Sequence, residues 1–492
     1  MVFTSLHFVG FFVVVYALYR ALPHRAQNWL LLVASYYFYA AWDWRFLGLL
    51  IASTLVSFYS ARLTGRSESR GGRRAALIVG LAFNLAMLGF FKYFNFFAEN
   101  LHALVALLGL TLDIVTLRVL LPIGISFYSF IAIGYVVDVY RRQIEPEQSL
   151  RDFAIFIAYF PQLLAGPIMR AQVLLPQIRL PRRVTRDQVI EGLWLMGYGF
   201  FKKVYVADNL SHLVNSSFSA AHPTGLQILL SLYAFAFQIY GDFSGYTDMA
   251  RGMSKLMGIE LNLNFRFPYF VRTPKQFWQH WHISLSTWLR DYLFLPVSYA
   301  LSRRIDGVRW LGLRDDFWIY AGATMFTLLL GGLWHGAAWN FVLWGAYQGA
   351  LLVLFSAAEQ RKRGGRRRRA VVAGRTGSLG TATVLGAVGM FHLTCVGWLI
   401  FRANSAGQIG SLAWTLFADF APGMAALRTF GVPLLAYTVP LLVVQAIEAR
   451  KDDLAAVLSL PAAVRYSVYA AMIYLTVLFG DFAGSQFIYF QF

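Results

Sequence analysis

Apolar stretches of about twenty residues recur from one end of this 492-residue chain to the other, and that periodicity restricts its solvent before any single residue is considered. Crossing a bilayer takes about 20 mostly apolar residues in helical form. In lipid only helices and closed barrels satisfy every backbone N–H and C=O, and barrels are written in alternating segments of roughly ten residues instead. Candidate spans fall at 3–21, 27–42, 45–62, 75–97, 119–139, 188–207, 226–245, 317–334, 339–358, 379–402, 430–447 and 464–480. The expected architecture is an all-α polytopic membrane protein of about 12 transmembrane helices. The first run, Phe3 to Tyr19, has no basic n-region and no small-residue cleavage site, so it is expected to be the first span rather than a removed signal.

Composition agrees. Hydrophobic residues make up 58% and charged residues 14%, against about 45–50% and about 25% in soluble chains. The formal charge is +19, from 43 Lys and Arg against 24 Asp and Glu. In a soluble protein that excess would suggest nucleic acid. Here it lies between the apolar runs, as the positive-inside rule requires, so no nucleic-acid partner is expected. Arg62, Arg66, Arg70, Arg73 and Arg74 occupy one loop, Arg141 and Arg142 a second, Arg179, Arg182, Arg183 and Arg186 a third. The densest run is loop 361–375, with Arg366 to Arg369 at its centre; it reads as orientation-setting, with anionic lipid contact as the alternative. With the N-terminus outside, twelve spans put all four loops in the cytoplasm and the C-terminus outside.

Cys395, the sole cysteine, lies in an apolar run. It permits no intrachain disulfide, and no metal site is expected. Two stretches fit no clean span. Residues 151–167 are apolar but interrupted by Pro161 and by Gly166-Pro167, as in a re-entrant or interfacial helix. Residues 260–300 mix Trp and Phe with Arg, Lys, His and Asp. Irregular polar backbone at membrane depth is tolerated only inside protein or along a watery cavity, so a cavity floor is expected there.

Three constellations carry candidate chemistry. His335 in "GGLWHGAAWN" is an ionisable group between apolar runs, with glycines that allow bending or close approach to a ligand. The alternative is a structural histidine satisfied by a neighbouring helix. In "FWQHWHISLSTWLRDY", His282, Ser286 and Arg290 would share one helical face, as in a cavity wall or an interfacial amphipathic helix. In "YGDFSGYTDMARG", Asp242 and Asp248 bracket a Gly-rich bend and could pair with Arg266, Arg272 or Arg290. No P-loop, G-x-S-x-G, G-x-G-x-x-G or H-E-x-x-H is present. A histidine base without a neighbouring nucleophile suggests that the substrates bring the reacting groups.

Several long segments resemble the membrane-bound O-acyltransferase family, and within it the bacterial alginate O-acetyltransferase-like branch. They are "LPIGISFYSF" at 121–130, "YFPQLLAGPIMR" at 159–170, "YGDFSGYTDMARG" at 240–252, "FWQHWHISLSTWLRDYLFLP" at 277–296, "LGGLWHGAAWNFVLWG" at 330–345 and "FIYFQF" at 487–492. The resemblance implies N-terminal transmembrane helices at 1–118, a catalytic core at 119–402, and C-terminal helices with an outer aromatic tail at 403–492. It implies re-entrant and interfacial helices around a central tunnel, with His335 and His282 catalytic and Ser286, Arg290, Asp242, Asn340 and Trp334 along the wall. The donor would be acetyl-CoA or another acyl thioester from the cytoplasm. The partner would be an extracytoplasmic acetylesterase-like transferase, the final acceptor a polysaccharide, and the setting the lipid of a bacterial inner membrane. Tyr489 in the outer tail is a possible acyl relay near His335, because a phenol is both a fair nucleophile beside a base and a fair leaving group; an interfacial aromatic anchor is the alternative. "LFLPVSYALSRRI" after Asp291 and the long basic loop depart from the family pattern and bear on substrate rather than reaction. A transporter or flippase, with His335 in a proton relay, is the rival reading, and an assembly scaffold a third.

Overall fold

The computed structural model describes residues 1–110, 120–305, 307, 311–365, 381–421, 423–483 and 487–488, with backbone only at 362–365 and 381–383. Tyr489 and the Arg366–Arg369 run lie outside the described residues. Among those described, most are helical and none forms a β-strand. Each of the twelve expected spans contains a helix. Among the described residues, eight helical stretches are long and apolar enough to cross a membrane, including Trp44–Arg66, Gly225–Leu256, Asp315–His335 and Val384–Arg402. Leu6–Ala21 and Ile125–Tyr140 are apolar but shorter. His24–Ala40 and Arg186–Phe201, of 17 and 16 residues, carry more polar groups, including buried Asn28 and Ser35 in the first. The chain is an all-α polytopic membrane protein.

The helices form two compact units, neither continuous in sequence. The first comprises Met1–Tyr205, Gly241–Asn262 and Leu458–Gln491. In it the segment at 151–167 becomes the helices Leu150–Ala158 and Phe160–Leu163, split at Tyr159 and wholly buried from Asp152 to Leu163. Nine residues rise only about 14 Å, too little to cross a bilayer, so protein satisfies this backbone. Two pairs of glycines bring the Arg186–Phe201 helix against residues 241–256. A Cβ on Gly199 would stand 2.5 Å from the Gly245 carbonyl oxygen, and one on Gly252 2.5 Å from that of Gly192. Small residues let membrane helices approach this closely. The approach brings Lys202 and Lys203, in the π-helical turn Lys202–Ala207, against the carboxylates of Asp248 and Asp242.

The second unit comprises Val206–Tyr240 and Leu263–Val457. Its centre is the helical hairpin of Asp315–His335 and Trp339–Gly365. Here too glycine sets the spacing: a Cβ on Gly332 would fall 2.2 Å from the Phe341 carbonyl oxygen, and one on Gly345 2.1 Å from that of Leu328. The glycines beside His335, expected to allow bending or ligand approach, serve helix packing instead; Gly336 faces the Phe341 ring in the same way.

Candidate active site

His335 is the last residue of its helix, and the hairpin turn carries it into an aromatic box. Its ring lies 4.9 Å from Trp334, 5.0 Å from Trp344 and 5.4 Å from Phe401, centroid to centroid and edge-on in each case. Only 6% of the residue is exposed. Asn340, the second residue of the next helix, spends its amide on the backbone: Nδ2 donates to the carbonyl oxygens of Phe401 at 3.3 Å and Ala403 at 2.9 Å. It thereby fixes the end of the Thr381–Arg402 helix that bears Phe401.

The 277–292 segment is not the single helix that a shared His282–Ser286–Arg290 face required. Thr273 caps Pro274–His280, whose Gln276 N–H donates to its Oγ1 at 3.2 Å. The chain then breaks at Trp281 and His282 and restarts as Ile283–Leu289, followed by the π turn Arg290–Phe294. His282 sits at the break with φ 42° and ψ 54°. A left-handed conformation is rare for a residue with a Cβ, and such strain concentrates at functional sites. Asn264 holds the break from outside. Its carbonyl accepts the Ile283 N–H at 3.0 Å and its Oδ1 accepts the Ser284 N–H at 3.1 Å, while Arg266 N–H donates to the His280 carbonyl at 3.0 Å. Sequence reading missed Asn264; the signal was an amide side chain within an aromatic, irregular stretch.

The result is that His282, 1% exposed, faces Trp334 at 6.1 Å, the residue before His335, whose ring lies 4.9 Å from the same indole. Two imidazoles from segments about fifty residues apart thus share one tryptophan in a buried box. Buried imidazole is a suitable general base, because its neutral form holds the acceptor lone pair that takes a proton.

Ser286 and Arg290 line a neighbouring cavity of about 490 Å³, together with Lys275, Thr287, Thr324 and Thr327, and neither histidine is part of its wall. Arg290 is largely exposed and pairs with Asp291 at 2.8 Å. The pairing of Asp242 or Asp248 with Arg266, Arg272 or Arg290 is corrected by the structure. Asp242 pairs with Lys203 at 2.9 Å, Asp248 with Lys202 and with Arg251, and Arg266 with Asp452 at 2.7 Å. The lysines lay inside an expected span, so proximity on the glycine-packed helices, rather than the nearest arginine in sequence, decides the partner. Two ionisable groups within an apolar run were the signal that could have found them.

The sequence model of the membrane-bound O-acyltransferase family matches residues 141–308. A probable alginate O-acetylase of Azotobacter vinelandii is 38% identical over 420 residues, 85% of this chain and 77% of that one. The chain belongs to the membrane-bound O-acyltransferase family. It stands with the alginate O-acetylase-like branch, for a probable alginate O-acetylase of Pseudomonas putida is 39% identical over 85% of this chain and 80% of its own. A peptidoglycan O-acetyltransferase of Helicobacter pylori is 32% identical over 72% of this chain and 68% of that protein. A teichoic acid D-alanyltransferase of Bacillus subtilis is 27% identical over 57% and 69%. Like the family, this protein is a membrane O-acyltransferase that uses an acyl donor. The family match contains His282, Ser286 and Arg290, and His335 follows it.

Proposed function

We propose that this acyltransferase takes an acetyl group from a cytoplasmic thioester, acetyl-CoA or another, and delivers it across the bacterial inner membrane for O-acetylation of a polysaccharide. The observation that carries the reading is the pair of buried histidines sharing Trp334. His335 takes the proton from an attacking hydroxyl as its oxygen bonds to the thioester carbonyl carbon. The carbon–sulfur bond breaks, an ester remains on the hydroxyl oxygen, and the thiolate leaves with the proton that His335 held. The Ser286–Arg290 cavity supports a donor site: Lys275 and Arg290 suit the phosphates of a nucleotide thioester, while Leu352 and Phe355 suit its apolar arm.

The first acceptor is the phenol of Tyr489, which then passes the acetyl group to a hydroxyl of an extracytoplasmic acetylesterase-like transferase. The polymer is acylated by that partner, so this chain needs no polysaccharide site of its own. The relatives named for alginate and for peptidoglycan support a polymer as the final acceptor.

The experiment is turnover of labelled acetyl-CoA by the purified protein in nanodiscs, with and without the soluble partner. Thiol release that depends on the partner and disappears in His335→Ala is expected. Movement of a polymer or lipid-linked precursor without thioester cleavage would overturn this reading in favour of a flippase.

A further inference from the structure

The described end of the chain is pinned at two points within the first unit. Asp481 N–H donates to the carbonyl of Val204 at 3.1 Å, in the π-helical turn. Seven residues on, Ile488 N–H donates to Oδ2 of Asp242 at 2.7 Å. Phe487 packs on Tyr246 at 5.0 Å and edge-on against Phe243 at 6.0 Å. Phe487 and Ile488 are 3% and 2% exposed, whereas an untethered terminus frays.

Asp242 uses its two oxygens differently. Oδ1 faces Lys203 Nζ at 2.9 Å, and both side chains are buried. Oδ2 takes the tail. A buried carboxylate is stable as an anion only when paired, and as an anion it accepts hydrogen bonds about twice as strongly as a neutral acceptor. Lys203 therefore makes Asp242 a strong acceptor aimed at a backbone N–H. The π turn that bears Lys203 also offers the Val204 carbonyl, so one irregular turn contributes to both pins. Such turns are rare and gather at functional sites.

We propose that Asp242, charged by its pairing with Lys203, is the anchor of the C-terminal segment and a positioning residue for acyl transfer. This rests on the reading of Tyr489 as the acyl relay. Tyr489 is the next residue in the sequence after Ile488. The role differs from the tunnel-wall position expected for Asp242 from the sequence.

The test uses the full chain with Cys395→Ser and Ile488→Cys, which keeps the backbone N–H and adds a buried thiol. Maleimide labelling of that thiol is expected to be slow, and to speed by roughly tenfold or more when the charged acceptor is removed. Asp242→Ala alone strands a buried lysine and risks unfolding. Lys203→Met with Asp242→Leu removes both charges and keeps the volume, and it should speed labelling equally in protein that remains monodisperse. Transfer to the partner, measured in the same charge-free chain with Ile488 restored, should fall at least tenfold. Unchanged labelling there overturns the anchor. Fast labelling with undiminished transfer overturns the positioning role. Tyr489→Phe separates this from the relay itself: it should leave labelling slow and abolish transfer. If Tyr489→Phe transfers normally, the relay reading falls whatever Asp242 does; if only Tyr489→Phe fails, the relay stands without this anchor.

Discussion

Two histidines in one aromatic box invite the question of which does the chemistry. His335 ends a regular helix and presents its imidazole without backbone strain, while His282 is held in the left-handed region by hydrogen bonds on both sides. His335→Ala should leave insertion near normal and collapse transfer, since a general base contributes about 10²–10⁴-fold; more than a tenth of the activity remaining would remove it from the mechanism. For His282 the backbone gives a second readout. A left-handed residue costs about 1–3 kcal/mol unless it is glycine. His282→Gly should therefore melt higher than His282→Ala, while both lower turnover, and less than His335→Ala does. Equal melting temperatures would mean that the strain at this turn is not stored at residue 282.

At the scale of elements, the site depends on contacts that no side chain in the box makes. Asn264 holds the 280–284 break through its own carbonyl and its side-chain oxygen. Asn264→Ala strands the buried Ser284 N–H and frees the turn that aims His282. A misplacement of about 1 Å in a catalytic group can cost on the order of 100-fold, so turnover should fall at least tenfold with the donor KM little changed; a KM effect alone would make Asn264 part of donor binding. The hairpin behind His335 is set by glycine. Gly345→Ala drives a Cβ against the Leu328 carbonyl, a backbone atom that cannot turn aside, and overpacking of that kind costs about 1–3 kcal/mol. Gly10→Ala, where nothing lies within 4 Å, is the control. A lower melting temperature for the first and none for the second is expected in detergent-solubilised protein.

At the scale of the whole molecule, what the sequence made legible was whatever lipid dictates. Long apolar runs have only one way to satisfy their backbone, so each expected span became a helix. The break at His282 was not legible, because it is held by Asn264 from outside the helical period. Nor was the partner of Asp242, which glycine packing chose from another helix. The membrane crossings raise the last question. His24–Ala40 and Arg186–Phe201 are the two expected spans that fall outside both the long and the shorter apolar helices, and the basic loops bear on whether they cross. Counting both, the loops at 62–74, 141–142, 179–187 and 361–375 follow odd numbers of spans and share one side. If neither crosses, the first three loops follow even numbers and 361–375 still follows an odd one, so the arginines divide between the two faces. That arrangement violates the positive-inside rule. Arg186–Phe201, which lies between these loops, should therefore cross, whereas His24–Ala40 precedes all four and sets only the side of the N-terminus; about 16 residues fit a locally thinned bilayer. Single cysteines at Ser67 and Gly365, in Cys395→Ser protein, test this with an impermeant maleimide on intact spheroplasts. Neither should react until the membrane is opened. Reaction at Ser67 alone would mean that Arg186–Phe201 does not cross.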